Sequence, residues 1–277
     1  MILTDTIHII RNLYGESLKD IVIERLVLGV FFTGVKLSTG YGGVSYTPIA
    51  ELHNNPCCSS MSFQKPGAGN FKDTPVYEIL NEPAGSPLLD TVKLVILNAL
   101  SPPFLTAERY RITYDRDVLI AADVESMRKI AMVGAFAPFL DVFKKRGNIE
   151  LHVIEKKTQS FREDEAQYYV PSEKAGEIIP HCDTVIITGA TVANGTIDQL
   201  LTYPSLGAKV IVTGPTVSFL PDALFERNVD TVGGTIVTDV DRALELLAEG
   251  AGAYQLFGTC VRKINIMREN ESKRKGR

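Results

Sequence analysis

At 277 residues, 45% hydrophobic and 22% charged, the chain has the composition of a globular protein long enough for two cores. Its net charge of −4 excludes a general nucleic-acid binder. Four cysteines, with Cys57 and Cys58 adjacent, exclude the disulfide framework of a small secreted domain.

The N-terminus, Met1-Ile-Leu-Thr-Asp-Thr, lacks the cationic start and apolar centre of a signal peptide. Apolar stretches such as Leu26 to Val35 fall short of a bilayer span. A cytoplasmic protein without membrane contact is expected. Apolar positions at Ile7, Ile10, Leu13 and Tyr14 predict a short amphipathic helix over residues 3 to 14, capped by Thr4 or Asp5 and stopped by Gly15. Residues 20 to 48 alternate and are rich in β-branched side chains, which predicts a hairpin or small antiparallel meander. A loop-like stretch over residues 52 to 74 holds His53, Cys57 and Cys58, soft donors that lack the C-x-x-C spacing of a zinc site. Two helices follow, one from about Pro75 to Leu80 and one capped by Ser86 with Pro87 in its first turn, running to about Leu100.

Past a boundary placed near residues 115 to 128, apolar runs alternate with helical segments. Strands are predicted at Ile130–Val133, Ile149–Glu155, Thr184–Thr188, Lys209–Thr213 and Thr231–Val237. The helices between them cover Pro138–Arg146, Pro171–Ile179, Thr196–Leu201 and Pro221–Arg227, and Asp239–Glu249 closes the series. Val/Ile runs without polar alternation mark strands buried on both faces, so the fold class is α/β: a Rossmann-like doubly wound parallel sheet preceded by a smaller α+β domain. The expected division is 1–120, 121–266 and a basic disordered tail over 267–277, ending Lys273-Arg274-Lys275-Gly276-Arg277.

Three of these strands end at a glycine among small residues, and open α/β sheets bind ligands at that edge. After the first, Gly134, Ala135, Phe136, Ala137 and Pro138 replace the G-x-G-x-x-G of a dinucleotide turn. Phe136 crowds the pyrophosphate position and Pro138 removes an N–H donor, which argues against standard NAD binding. Glu155 stands about twenty residues on, where an acidic residue holds ribose hydroxyls; an ion pair with Lys156 or Lys157 is the other reading. After the third strand, Thr188, Gly189, Ala190, Thr191, Asn194 and Thr196 concentrate polar groups, one of which a helix cap would account for. Gly214, Pro215 and Thr216 repeat the logic after the fourth, where a tight turn is the alternative. Gly-rich turns in the first domain bring Lys36 and Tyr41 into consideration as a flap. No G-x-S-x-G elbow, H-E-x-x-H or phosphate-binding P-loop occurs.

The blocks Met132 to Pro138, Val153 to Glu155, Ile179 to Asp183, Ile187 to Thr196, Val212 to Thr216 with Leu220-Pro221, and Val232 to Asp239 resemble a prokaryotic heavy-metal-chelation family. Gly43 to Pro48 and Asn98 to Ser101 add to the likeness. The resemblance implies an enolase-N-terminal-like domain joined to a Rossmann-like domain, with a ligand site in the cleft between them. It also implies a role with a heavy-metal ion or metal chelate, and Asn98 then joins Lys36 and Tyr41 on the facing wall. Thr216 stands where the family's Gly-Pro-Ser would place serine, and it keeps the hydroxyl. The resulting expectation is a small polar or metal-bearing ligand between the domains. The alternatives are an enzyme using a nucleotide-like cofactor at Glu155, with Lys36 or Tyr41 as acid or base, and a scaffold with a vestigial cleft. The residues name neither cofactor nor metal ligands, and leave turnover and homo-oligomer formation open.

Overall fold

Alternating apolar and polar residues after Asp20 build an antiparallel sheet of three strands, β1 (Ile23–Leu28), β2 (Phe32–Leu37) and β3 (Gly42–Tyr46), in that order. The structure is a computed structural model that describes residues 1–53, 69–156, 158 and 161–268. Cys57, Cys58 and the basic C-terminal cluster lie outside the described residues. The small sheet packs on the Pro87–Leu100 helix, whose last ten residues are all buried. Ser86 caps that helix, accepting a hydrogen bond from the Leu89 N–H at 3.5 Å. Close approach is possible because β3 carries glycine at position 43, where a Cβ would stand 2.2 Å from the Val95 carbonyl oxygen. The Val240–Ala248 helix packs on β1 and β2, so the small sheet is held between its own helix and one from the C-terminal half.

The first helix spans Ile2–Tyr14 and stops at Gly15, with φ of 56°. It begins earlier than the capping residues suggested: neither Thr4 nor Asp5 is the cap, and Asp5 sits in the first turn.

The large sheet has eight strands: β4 (Arg111–Tyr114), β5 (Lys129–Val133), β6 (Glu150–Glu155), β7 (Tyr169–Pro171), β8 (Thr184–Thr188), β9 (Lys209–Thr213), β10 (Thr231–Val237) and β11 (Val261–Met267). Their spatial order is β4-β11-β10-β9-β8-β5-β6-β7. From β7 to β10 every pairing is parallel, and β11 and β4 close one edge antiparallel. All five expected strands are present, and their central residues, such as Val185, Ile186 and Ile187, are fully buried. The additional strands β4, β7 and β11 lie toward the sheet's edges. β4 precedes the expected boundary and already pairs with β11.

The segment expected as one helix over Pro171–Ile179 is broken into a 3₁₀ turn at Ser172–Lys174, a helix at Ala175–Ile178 and a second 3₁₀ turn at Ile179–His181. Pro180 has no N–H to carry the α-helical ladder onward. Among the described residues, no helix is long and apolar enough to cross a membrane.

Candidate functional site

The chain winds outward from β5 through β6 to β7, then returns to place β8 on the other side of β5. At such a reversal the connections leaving adjacent strands diverge, and a crevice opens above the strands' C-terminal ends. A cavity of about 700 Å³ lies there, lined by the turns after β5, β6 and β8, by the Ser172–Gly176 segment, and by Tyr46 and Glu51 from the N-terminal part.

Gly134 opens the β5 turn at φ of 95°, and a Cβ there would meet Thr188 Cγ2 at 2.9 Å, so glycine keeps both turns together. Phe136 lines the cavity and stacks on Phe139 with ring centroids 5.0 Å apart. Ala137 and Pro138 are exposed in the first turn of the following helix and do not line the cavity. Glu155 does, and backbone groups fix its carboxylate: the Ala135 N–H donates to Oε2 at 3.3 Å and the Lys156 N–H to Oε1 at 2.7 Å. Lys156 thus reaches Glu155 through its main chain, and Lys157 lies outside the described residues.

In the β8 turn, Thr188, Ala190, Thr191, Asn194 and Thr196 all line the cavity. Their hydrogen bonds are partly internal. The Thr191 hydroxyl donates to the Thr188 carbonyl at 2.6 Å, and the Ala190 N–H donates to Thr188 Oγ1 at 3.3 Å. Asn194 Oδ1 accepts from both the N–H and the hydroxyl of Thr196, at 3.2 and 2.7 Å. Thr196 is the N-cap of the helix that follows and its side chain makes no cap bond, so neither Asn194 nor Thr196 serves as the expected side-chain cap. Asn194 Oδ1 instead closes a local turn onto Thr196, and its amide NH₂ has no partner among the described residues. Gly189 is buried below, its N–H bonded to the Thr213 carbonyl at 2.7 Å.

Gly214, Pro215 and Thr216 do not line this cavity. They tie the two halves of the chain together. Thr216 Oγ1 accepts from the Tyr46 N–H at 3.0 Å, and Asn98 Nδ2 donates to the carbonyls of Val44, Pro215 and Thr216 at 2.7, 3.2 and 3.1 Å. Asn98 is buried, and its Oδ1 has no partner among the described residues. Lys36 is engaged elsewhere, bridging Asp241 at 3.0 Å and Glu24 at 3.1 Å; these partners hold its pKa above the usual range. Tyr41 is exposed at the β2–β3 connection, outside the cavity lining. Of the expected facing residues, then, Lys36, Tyr41 and Asn98 are all placed away from the cavity.

The facing wall is made instead by Tyr46, the last residue of β3, and Glu51 in the Ile49–His53 helix. Burial, followed by the negative charges of Glu51 and Glu155, raises the Tyr46 phenol pKa, so both carboxylates act on that ring. Gln199 and Tyr203 complete the lining, joined by a hydrogen bond of 2.6 Å. Neither Tyr46 nor Glu51 stands in a local pattern that betrays a ligand contact; the Gly43-Val-Ser-Tyr46 block is the one sequence signal near them.

Side chains that chelate a heavy metal need soft donors, thiolate or imidazole. Among the described residues, the lining offers the carboxylates of Glu51, Glu155 and Glu173 together with hydroxyls, amides and phenols, and no cysteine or histidine. Among the described residues no group of three or more His, Cys, Asp or Glu is placed to hold an ion. Cys182 and Cys260 are buried singly, and burial pushes the Cys182 thiol up to about 11. A bare heavy-metal ion does not fit the described part of the lining.

Two family models described as "Putative heavy-metal chelation" match the chain, DUF364 over residues 117–266 and DUF4213 over residues 11–101. The chain belongs to the DUF364 family. It is 25% identical over 213 residues to an uncharacterized protein of Methanocaldococcus jannaschii, covering 72% of this chain and 76% of that one. Its fold is shared with the crystal structure of a DUF364 protein of unknown function from Pyrococcus horikoshii, with a TM-score of 0.75 at 20% identity over 97% of this chain and 100% of that one. A second DUF364 structure, from Desulfitobacterium hafniense, superposes with a TM-score of 0.67 at 18% identity over 94% and 100% of the two chains.

Proposed function

We propose that the protein binds a small polar organic ligand, or a metal already carried in such a ligand, in the cavity at the reversal of the large sheet. One observation carries this reading. The turns after β5, β6 and β8 converge with Tyr46 and Glu51 on a single space of about 700 Å³, within the range of small-molecule sites. The chain supplies this wall from both regions that the family models match, residues 11–101 and 117–266. That supports a division near 1–120 and 121–266, with the ligand between the two. Gly134, Phe136, Glu155, Thr188, Ala190, Thr191, Asn194 and Thr196 act on the ligand, while Gly189 and Gly214 to Thr216 shape the support beneath.

The test is ligand-observed NMR with a library of metabolites, comparing the wild type with Asn194→Trp. The indole takes up part of the cavity, and the lost hydrogen bonds to Thr196 cost about 1 kcal/mol, a few degrees of melting temperature. Compounds that bind the wild type should lose their signal in the variant. Hits that persist unchanged refute the site.

A further inference from the structure

The charges on the wall narrow the ligand's chemistry, an argument that rests on reading the cavity as a binding site. Among the described residues that line the cavity, Glu51, Glu155 and Glu173 bring carboxylates, and Lys156 is the one basic side chain. A phosphate at such a turn needs cationic side chains or free N–H groups at a helix start. Here the Ala135 N–H is bonded to Glu155 and the Ala190 N–H to Thr188 Oγ1. Pro138 removes another donor from the first turn of the Ala137–Arg146 helix. Two of the main-chain donors that would hold a phosphate are thus occupied and a third is missing, and a carboxylate stands beside the vacated position.

Glu155 keeps a second lone pair on each oxygen and is held rigidly by two main-chain N–H groups, at 3.3 and 2.7 Å. It sits at the end of β6, the position from which a carboxylate accepts from vicinal hydroxyls in sheets of this winding. Across the cavity, the Tyr46 ring lies in the field of both Glu51 and Glu155. A positive centre there meets two carboxylates and an aromatic face. We propose that the ligand is a phosphate-free organic cation of nucleoside size, with hydroxyl groups on Glu155 and its positive centre beside Tyr46 and Glu51.

Titration calorimetry on the full chain tests this with four probes: S-adenosylmethionine, which carries a sulfonium cation; S-adenosylhomocysteine, the same body without that charge; adenosine; and adenosine 5′-monophosphate. The sulfonium compound should bind about tenfold tighter than its neutral-sulfur counterpart, the effect of one added charge in a solvent-open site. The monophosphate should bind more weakly than adenosine. Glu51→Gln should bring the sulfonium preference toward one, and Gln199→Arg, which adds positive charge at the exposed rim, should do the same. Equal or tighter binding of the monophosphate, or a sulfonium preference unmoved by Glu51→Gln, overturns the proposal. If no probe binds, this ligand class is wrong. The comparison of library hits between the wild type and Asn194→Trp then decides separately whether the cavity itself is a site.

Discussion

Removing the Asn98 amide should loosen the join between the two halves of the molecule, and its cost can be worked from the geometry. Asn98 is 3% exposed, and its Nδ2 supplies two protons to three carbonyls, those of Val44, Pro215 and Thr216. In Asn98→Ala two net hydrogen bonds are lost and buried carbonyls are left unpaired, about 3 kcal/mol in total. For a chain of this size that is roughly 6 to 12 °C of melting temperature. Asn98→Asp is the sharper perturbation, because a carboxylate would face the same three oxygens without a donor. Its folded-state pKa must then be raised, so its deficit relative to Asn98→Ala is small at low pH and grows as pH rises through that value. Urea midpoints followed by circular dichroism across acid and neutral pH measure both effects. Asn98→Ala within experimental error of the wild type, or Asn98→Asp the more stable of the two at neutral pH, would refute the latch.

Other substitutions separate structural glycines and charges from those at the site. Gly43→Ala puts a Cβ 2.2 Å from a backbone oxygen and should cost about 3 kcal/mol. Gly40→Ala, at φ of 82° with open space around it, should cost only about 1 kcal/mol; equal costs in urea denaturation would contradict the close-packing argument. Lys36→Ala breaks exposed ion pairs to Glu24 and Asp241 and should change stability by about 0.5 kcal/mol or less. Ligand affinity should not move, and a loss in calorimetry would return Lys36 to the site. Burial lifts the Cys182 thiol from an ordinary value of 9.0 to about 11. The folded form keeps its proton while the unfolded thiol loses it. That share of stability is therefore full below the lower value and is lost as pH rises to the upper one. Cys182→Ala should flatten the alkaline fall in urea midpoint over that window, and an unchanged slope would count against the assignment.

The strands of the large sheet were legible where burial is two-sided. Val185-Ile-Ile187 and Val210-Ile-Val212 have no polar face to confuse with a helix or a loop, and both segments are almost fully buried. β7 has only three residues, β4 is partly exposed, and β11 carries exposed Arg262 and Lys263 directly after its first residue. Strands of that kind need no continuous apolar run, so periodicity cannot find them. The β5 and β8 turns of the site were equally readable, because a glycine follows directly on each strand, Gly134 at a positive φ against Thr188 and Gly189 in tight contact with Val217. The opposite wall was not. Tyr46 and Glu51 reach the cavity through the way the small sheet is clamped between the Pro87–Leu100 and Val240–Ala248 helices. Lys36, on the neighbouring strand β2, is drawn instead to Asp241, 205 residues distant in sequence. Long-range packing of that kind leaves no mark in local spacing.

The family's description names heavy metals, while the described residues of the cavity wall offer oxygen donors and aromatic faces, a set that suits a metal arriving already complexed. A bare thiophilic cation gains little from carboxylates and hydroxyls in competition with water. The cavity's volume, about 700 Å³, also exceeds by an order of magnitude what one ion needs, since a water molecule occupies about 30 Å³. Amide NMR resolves the matter, because Gly134, Ala135, Thr188 and Asn194 report from the cavity wall itself. Titration with cadmium ion should leave those four resonances unmoved, whereas an organic ligand that binds there must shift them. Saturable cadmium shifts confined to these amides, and abolished in Glu155→Gln, would show the cavity to be a chelating centre and remove the argument for an organic guest.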